Sequence, residues 1–389
     1  PTSTSRPTRI VERPAPVALG VPEDETQRKG IRWMRLVTGR APLSILVGLL
    51  VLVGLATPVF AGDFRLGPLD TSLYPEDTTQ YKAWKLQTDA FGDGSTNPFL
   101  IVVQIPSDDS DVDDQLSSLQ TDLAAADGVA DVTSARQNSD GTVAVLQLIP
   151  TTDAQAAATS DLVKSLRADT IPKATEGTDL TVFVSGINAV FVDLDDRIFQ
   201  RLPEFIGLVV LIALIILGLV FKSVLIPIKA AVLNLFVIGA TYGLTVLVFT
   251  NGFGLSLLGV PNEVPILSLL APVIFAILFG LSNDYEVYLV TRSKEELDGG
   301  ATPSESIDLG MGRGAHIVIA AALIMVFVFA SYILQPGTSV VQFGFAMTVA
   351  ILLDAFVGRM VLLPSIMRVG GRRMWWPVRH GSAPTVSSE

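Results

Sequence analysis

The sequence predicts an α-helical multi-pass membrane protein with six transmembrane helices. One α+β domain of ferredoxin-like arrangement is expected between the first and second of these helices. Hydrophobic residues make up 49% of the 389 residues and are concentrated in long runs. Six of these runs are long enough to cross a bilayer as a helix, which takes about 20 residues. Residues 62–203, between the first and second runs, have the composition of a soluble domain.

The composition also excludes several functions. The chain has no cysteine, so disulfides, thiolate metal sites and cysteine nucleophiles are excluded. Only two histidines, His316 and His380, are available for a metal centre or a Ser-His-Asp triad, and we expect no enzyme. Acidic residues dominate residues 107–160, where Arg136 is the only base, within a net charge of −11. Such a surface repels nucleic acid, so no nucleic-acid partner is expected.

The chain begins with residues 1–40, which are predicted to be a disordered cytoplasmic linker. Their first thirty positions are rich in Pro, Thr, Ser and Arg and show no hydrophobic periodicity. The first residue is proline and no signal peptide precedes it, so we expect a piece of a longer polypeptide. Arginines then precede residues 41–61, the first predicted transmembrane helix.

Residues 62–203 show the alternating patterns of an α+β domain. After a short helix at 81–91, strand and helix patterns follow in the order β-α-β-β-α-β. The strands are predicted at 99–105, 129–135, 142–149 and 180–184, and the helices at 111–126 and 152–167. A turn at 138–141 separates the second and third strands. This order is the split βαβ, or ferredoxin-like, arrangement.

A five-helix transmembrane bundle is predicted at residues 204–366, followed by a cytoplasmic tail at 367–389. Its spans are predicted at 204–221, 224–250, 265–292, 315–334 and 340–366. Basic residues lie in the connections after the second and fourth spans and in the tail, whereas the two other connections carry no Lys or Arg. By the positive-inside rule, the basic side is cytoplasmic. We therefore expect both termini in the cytoplasm and residues 62–203 outside.

One aspartate lies deep inside the fourth predicted span. Asp284 precedes Arg292 by eight residues, about 12 Å along a helix, so Asp284 is near mid-membrane if Arg292 lies at the cytoplasmic interface. A carboxylate at that depth is costly and usually faces a protein interior or a water-filled cavity on an ion or proton pathway. Asp284 is either a structural acid capped by a neighbouring helix or a proton carrier, and we favour the second role.

Three neighbours of Asp284 are candidates for the same pathway or for its support. Tyr285 is adjacent, and Tyr288 lies one turn further on the same face as Asp284. A phenol can donate a hydrogen bond to a carboxylate and change partner when that carboxylate takes a proton. Glu286 points to a different face, where it either pairs with a cytoplasmic base or takes part in a relay.

Ionisable residues also occur in the fifth and sixth spans. Asp354 and Arg359 are more than one helical turn apart, so we expect each to pair with another helix. For Arg359 we favour a structural pair, whereas for Asp354 relay and structural roles both stay open. His316 lies near the cytoplasmic end of the fifth span and is either a satisfied interfacial imidazole, which we favour, or a relay member.

Four segments carry a recognisable pattern. They are FGLSNDYEVYLVTR at 279–292, FRLGPLDTSLYPEDTTQYKAW at 64–84, GRGAHIVIAAALIMVFVF at 312–329 and GFAMTVAILLDAFVGRMVLLPSIMRVGGRRMWWP at 344–377. The first resembles the Asp-Tyr segment of the MmpL family, within the resistance-nodulation-division superfamily of transporters. The others resemble the start of that family's extracytoplasmic domain, its next-to-last span and its closing span.

The resemblance implies a fold made of two homologous halves, of which this chain resembles the C-terminal one. Residues 62–203 would then be an extracytoplasmic porter-like domain. An Asp-Tyr pair from each half would relay protons at the centre of the membrane, and the pair present here is Asp284 and Tyr285. The other pair is missing from this chain, and His316 stands where we expect a smaller or uncharged residue.

The resemblance further implies a function in the cell (inner) membrane. It implies export of lipids or other hydrophobic molecules driven by the proton gradient, without a bound cofactor, with a homologous N-terminal half or a second copy as partner. One alternative is a non-pumping membrane receptor or accessory subunit, similar to sterol-sensing relatives. Another is a half-size protein-translocation subunit, which also has one span, an outer domain and five spans.

Overall fold

Long apolar helices and one antiparallel sheet make up most of the described part of the chain. The computed structural model describes residues 25–68, 71–106 and 111–375. The α-helices are α1 (Glu25–Gly39), α2 (Ala41–Pro58), α3 (Thr79–Phe91), α4 (Val112–Ala124), α5 (Ala157–Ser165), α6 (Ile171–Ala174), α7 (Ile187–Phe221), α8 (Leu225–Phe249), α9 (Leu270–Asp298), α10 (Pro303–Ser306), α11 (Gly312–Tyr332), α12 (Thr338–Leu352) and α13 (Leu363–Gly370).

Strands and less regular helices complete the described ranges. The strands are β1 (Leu66–Gly67), β2 (Phe99–Gln104), β3 (Val129–Val132), β4 (Arg136–Gln137), β5 (Val143–Pro150), β6 (Thr181–Ser185) and β7 (Ile266–Leu267). The 3-10 helices are Thr71–Leu73, Asp93–Thr96, Leu255–Leu258 and Gly371–Trp375. The π-helical segments are Val59–Asp63, Leu166–Thr170, Ile307–Met311 and Leu353–Leu362.

The sheet of the α+β domain is antiparallel, with strands in the order β3-β5-β2-β6 and the short β4 paired with β5. Ile101 in the middle of β2 lies opposite Leu146 of β5 on one side and Val184 of β6 on the other. The four predicted strands all lie in this sheet, and α4 and α5 follow the first and third of them. The structure therefore has the β-α-β-β-α-β order that the sequence predicts, with the first two strands shorter and the last two shifted by one residue.

One face of this sheet is covered by helices. Alternate residues of β2 are fully buried because side chains along a strand point to opposite faces with a period of two. The facing helix α4 buries residues spaced three and four apart, as an amphipathic helix does. The buried apolar cluster includes Phe99, Ile101, Val103, Leu116, Leu119, Leu123, Leu146, Leu148, Val163 and Leu166.

Six helical segments in the described ranges are long and apolar enough to cross a membrane, judged by length and composition. They are Ala41–Ala61, Ile187–Phe221, Leu225–Phe249, Leu270–Asp298, Pro303–Tyr332 and Thr338–Met374. Each of the six predicted spans largely coincides with one of them. Exposed apolar side chains such as Leu50 and Leu219 cover the outward faces of α2 and α7, where a bilayer or another apolar helix would lie.

Two predicted boundaries of the bundle are wrong. The predicted linker 1–40 extends too far, because residues 25–39 form α1, which buries Ile31, Met34 and Val37 against the bundle. The predicted tail 367–389 begins too early, because α13 and the following 3-10 helix continue to Trp375 and Met374 is buried. In both segments, apolar residues recur at helical spacing, and their side chains pack a helix against the bundle. The rest of both predicted tails lies outside the described residues.

Two further helix starts differ from the prediction. The second span is part of one 35-residue helix, α7, which begins at Ile187 inside the predicted α+β domain. Gly186, with φ of 110°, turns the chain from β6 into this helix, and a Cβ there would lie 3.0 Å from the carbonyl oxygen of Pro98. The fourth span starts at Leu270, because residues 266–267 form β7 instead of a helical turn.

A short parallel ladder joins the α+β domain to α9. Leu66 and Gly67 of β1 pair with Ile266 and Leu267 of β7. The buried side chain of Gln342 from α12 closes this junction from the other side. Its Oε1 accepts a hydrogen bond from the Leu267 amide at 3.1 Å, and its Nε2 donates to the carbonyl oxygen of residue 265 at 2.8 Å. The start of the domain and the start of α9 are therefore held together.

Candidate functional site

The helix α9 presents three consecutive candidate residues to three environments. Asp284 is exposed, Tyr285 is half-buried and Glu286 is 0% exposed. Successive helical residues are rotated by about 100° around the axis, so neighbours in sequence face different directions. The structure therefore separates Asp284, at the surface of this chain, from Glu286, inside its bundle.

Asp284 lies at the end of an exposed stripe along α9. The stripe consists of Leu269, Val273, Ala276, Gly280 and Asp284, which recur every three or four residues and are all exposed. A Cβ placed on Gly280 would have no neighbouring atom within 4 Å. The stripe is thus apolar, has no side chain at Gly280 in its middle and ends in a carboxylate. A second helix can approach such a surface closely.

Glu286 is held by two buried cations. Its Oε1 lies 2.7 Å from the ammonium of Lys229 on α8, and its Oε2 accepts a hydrogen bond from Arg359 of the π-helical segment Leu353–Leu362. Both basic side chains are nearly or fully buried. The sequence leaves two roles open for Glu286, an ion pair with a cytoplasmic base or a place in a relay. The geometry shows an ion pair, and both bases lie inside the bundle.

Asp354 is the second buried acid of this cluster. Its Oδ1 accepts a hydrogen bond from the Ser282 hydroxyl of α9 at 2.6 Å and lies 3.3 Å from Nε of Arg359. Its Oδ2 has no hydrogen-bond partner among the residues that the structure describes. As expected, Asp354 and Arg359 each pair with another helix, through Ser282 and Glu286 of α9, and they also contact one another.

The π-helical backbone of the last span explains this contact. In an α-helix, residues five apart are about 140° apart around the axis, because each residue turns the helix by about 100°. The segment Leu353–Leu362 has the wider i to i+5 pattern, which brings residues five apart onto nearly the same side. Asp354 and Arg359 thereby share one face and both reach α9.

Two polar side chains complete the cluster. Asn234 of α8 accepts a hydrogen bond through Oδ1 from Arg359 at 2.8 Å, and its Nδ2 donates to Asn283 at 3.2 Å. Ser282 also accepts from Arg359, while its own single proton goes to either Asp354 or Asn234. Two acids and two bases, all buried, thus form one charge-balanced network between α8, α9 and the last span.

Sequence reasoning did not assign Lys229, Asn234 or Ser282 to a site. A usable signal existed for Lys229, because a lysine near the start of an apolar span requires a partner. Asn234 carries no comparable signal, since a single amide in a span is compatible with many packing roles.

Tyr288 and His316 lie outside this network. The guanidinium of Arg292 stacks on the Tyr288 ring at 5.6 Å, and the same ring packs on Gly314 of α11, where an added Cβ would lie 3.1 Å from it. His316 is half-buried, and its Nδ1 has no hydrogen-bond partner in the described ranges. The structure therefore does not bring either residue into contact with the buried acids.

A cavity of about 510 Å³ lies where the α+β domain meets the bundle. The domain side contributes Tyr74, Tyr81 and Trp84, and the loops after α8 and α11 contribute residues 258–262 and 333–338. The rings of Tyr81 and Trp84 are 5.5 Å apart. The indole N–H of Trp84 is buried and has no acceptor among the residues described. This cavity therefore has aromatic walls on the side of the domain.

Comparisons with known proteins identify relatives of this chain. The model of the MMPL family matches residues 72–386. The membrane protein YdfJ of Bacillus subtilis is 31% identical over 88% of this chain, and the trehalose monomycolate exporter MmpL3 of Mycobacterium tuberculosis is 30% identical over 89%. The mycolic acid-containing lipids exporter MmpL11 of Mycolicibacterium smegmatis is 29% identical over 89%. The chain spans only 46%, 36% and 36% of these relatives' lengths, respectively.

Proposed function

This chain belongs to the MMPL family, and we propose that it is the C-terminal half of a proton-driven exporter of lipids or other hydrophobic molecules. Two of the relatives named above are described as lipid exporters, which supports a lipid or similar amphiphile as substrate. The family consists of membrane transport proteins, so the proposal includes no enzymatic step. The proton gradient takes the place of a cofactor.

In the proposed topology, both termini are cytoplasmic and residues 62–203 form the extracytoplasmic porter-like domain of a cell-membrane protein. The asymmetry of basic residues between the two sides of the bundle supports this orientation. The cavity at the base of that domain then lies at the outer face of the membrane. An amphiphile taken from the outer leaflet can pack against the aromatic rings of Tyr81 and Trp84 there.

The observation that carries the proposed mechanism is the exposure of Asp284 within a membrane span. An aspartate in contact with hydrocarbon is costly, by about 2.5 to 3.5 kcal/mol on insertion scales. The cost disappears if a homologous N-terminal half or a second copy covers the stripe on α9 and supplies a hydrogen-bond partner. Asp284 would then take up a proton at the interface between the halves, with Tyr285 as an adjacent donor.

The buried network gives this site a rigid support. Glu286, two positions from Asp284, is fixed by Lys229 and Arg359, and the preceding turn is held through Ser282. A change in the charge of Asp284 would alter its contact with the facing half and move α9 as one body. The β1–β7 ladder connects the outer end of α9 to the α+β domain and would carry this movement to the substrate cavity.

Replacing Asp284 by Asn in the native-length transporter tests the proton-carrier role. We expect export to fall to the level measured without a proton gradient, because an amide cannot take up and release the proton. Export should be followed in vesicles with an imposed gradient, and gel filtration should verify that the variant is folded. The matched control is Glu295→Gln, which removes an exposed carboxylate near the end of α9.

Full export by the Asp284→Asn variant would overturn the proton-carrier role. Activity that persists after the gradient is collapsed would favour the non-pumping receptor. Stable association with the secretion channel would favour the protein-translocation subunit. The mass of the denatured protein from its native membrane tells whether the second half belongs to the same polypeptide. A species of about twice the 41.5 kDa of this chain means that it does.

A further inference from the structure

The helix α1 carries a basic face that no part of the proposed transport mechanism uses. Arg28, Lys29, Arg32 and Arg35 are all exposed on it, and exposed Arg40 follows the helix directly. At about 100° per residue these side chains fall within less than half of the helix circumference. Glu25 is the one acid in α1. The face therefore carries a net positive charge.

The orientation of α1 is fixed by its opposite side. Ile31, Met34 and Val37 are buried against the bundle. The indole N–H of Trp33 donates to the carbonyl oxygen of Met360 at 3.0 Å, and the hydroxyl of Thr38 donates to Asp308 at 2.8 Å. The basic face therefore cannot turn inward without breaking these contacts, and it must meet whatever surrounds the bundle.

Among the described residues, no carboxylate neutralises the arginines of this face. Lys29 pairs with Glu25 at 2.9 Å, but no carboxylate in the described ranges pairs with Arg28, Arg32 or Arg35. Two more exposed arginines, Arg372 and Arg373, follow α13, a helix that contacts α1. A surface of this charge, without a partner in the described part of the chain, attracts anions.

The basic face also exposes apolar side chains. Leu36 is 68% exposed and lies among the cations, and Trp33, at the edge of the face, is 45% exposed. Water alone does not favour a leucine at such a position, whereas an amphipathic helix at a membrane surface places leucine and tryptophan in the interface. The chain passes from α1 through Arg40 straight into α2, the first membrane span, so α1 lies at the level of the headgroups.

We propose that the basic face of α1 binds the headgroups of anionic phospholipids in the leaflet where α2 begins. Four to eight Lys or Arg residues next to a span are the number that recognises anionic lipid surfaces. An acidic protein or a nucleic acid would match the charge, but neither would account for the exposed Leu36 and Trp33. The proposal goes beyond the proposed function and needs only that α2 crosses the membrane.

Native mass spectrometry of the detergent-solubilised chain with added dioleoylphosphatidylglycerol or dioleoylphosphatidylcholine tests this proposal. We expect a preference for the anionic lipid that weakens with salt, because mobile ions screen exposed charges. Each arginine near such a surface contributes about fivefold in affinity. The triple variant Arg28→Gln, Arg32→Gln and Arg35→Gln should therefore bind the anionic lipid at least tenfold more weakly.

Two further variants make the outcome decisive. Replacing the exposed cations Lys82, Arg136 and Lys173 of the α+β domain by Gln removes the same charge elsewhere and should leave the preference unchanged. Replacing the three α1 arginines by Lys should retain it. Equal binding of both lipids by the unmodified chain would overturn the proposal, as would an equal loss in the α1 and control variants. Displacement of the anionic lipid by polyglutamate at matched charge would overturn it in favour of an acidic protein.

Discussion

At the scale of single residues, Glu286 shows how this bundle tolerates charges away from water. A carboxylate in a low-dielectric interior is stable only when its desolvation is offset by close partners. Glu286 has Lys229 on one oxygen and Arg359 on the other. Arg359 in turn reaches Asp354, Asn234 and Ser282, so that removing one member affects all of them.

Replacing Glu286 by Gln should destabilise the bundle strongly. The variant leaves Lys229 and Arg359 with one buried acid between them, and breaking a buried pair typically costs about 3 to 5 kcal/mol. The measurement is the unfolding temperature of the purified chain in detergent. The matched control, Glu295→Gln, breaks the exposed pair with Arg292, which is worth about 0 to 1 kcal/mol.

A second variant distinguishes charge from packing in the same experiment. Lys229→Met combined with Glu286→Gln removes one base and one acid, so the cluster stays charge-balanced. We expect it to unfold at a higher temperature than Glu286→Gln alone, although it carries one more substitution. A double variant that is less stable than the single one would show that charge balance does not hold this cluster together.

The residues of this cluster also show how far the sequence predicts a site. Asp284, Glu286, Asp354 and Arg359 stand out because ionisable residues in apolar runs are rare. Their partners do not, since Glu286 and Arg359 are 73 residues apart and meet only through helix packing. The contact of Asp354 with Arg359 could not be predicted from the sequence either, because it depends on a π-helical backbone that composition does not reveal.

At the scale of elements, α1 is held on the bundle by the close approach of two glycines. A Cβ on Gly30 would lie 2.2 Å from the carbonyl oxygen of Gly312 on α11, and a Cβ on Gly312 would lie 2.7 Å from the Cα of Ile31. Neither position has room for a side chain while α1 stays in place. Glycine at both positions lets the backbones of α1 and α11 touch.

The variant Gly312→Ala should therefore release α1. The added methyl group meets backbone atoms of α1, which cannot move aside without displacing the helix. We expect faster cleavage by trypsin at the basic residues of α1, measured by mass spectrometry of the fragments. The control is Gly54→Ala on α2, where a Cβ meets no atom within 4 Å. Equal cleavage of both variants would contradict the close-approach argument.

The elements differ in how well their sequences predict them. The long apolar runs and the β-α-β-β-α-β order were recognisable because each pattern extends over many residues. The helix α1 was missed, although Ile31, Met34 and Val37 recur every three residues, because Pro, Ser and Thr dominate the stretch before it. The ladder of β1 with β7 was missed because two-residue strands have no period of their own.

At the scale of the whole molecule, the exposed stripe on α9 is the surface that the proposed second half would cover. The stripe on α9 ends in a charged residue and has an open groove at Gly280. The chain also spans less than half the length of the relatives that it matches. Both observations support a second half that lies against α9.

Replacing Gly280 by Trp tests the assembly of this chain with a second half without disturbing the fold of the chain itself. No atom of the chain lies within 4 Å of a Cβ at this position, so the unfolding temperature of the isolated chain should not change. In the native-length transporter, a second half packed on the stripe would be pushed away, and export should be lost. The control is Gly207→Trp on α7, which is also exposed and also open to a Cβ. Equal export by both variants would contradict an interface at this stripe.

The continuity of α7 has a mechanical consequence for the whole molecule. Its 35 residues give a rod about 52 Å long, with Pro203 inside it as a natural bending point. One end of the rod is fixed in the bundle, and the other leads through Gly186 into the sheet. A tilt of about 5° moves the far end of such a rod by about 4 to 5 Å. Sub-ångström adjustments among the packed helices can therefore displace the sheet end of α7 by as much as the radius of a lipid headgroup.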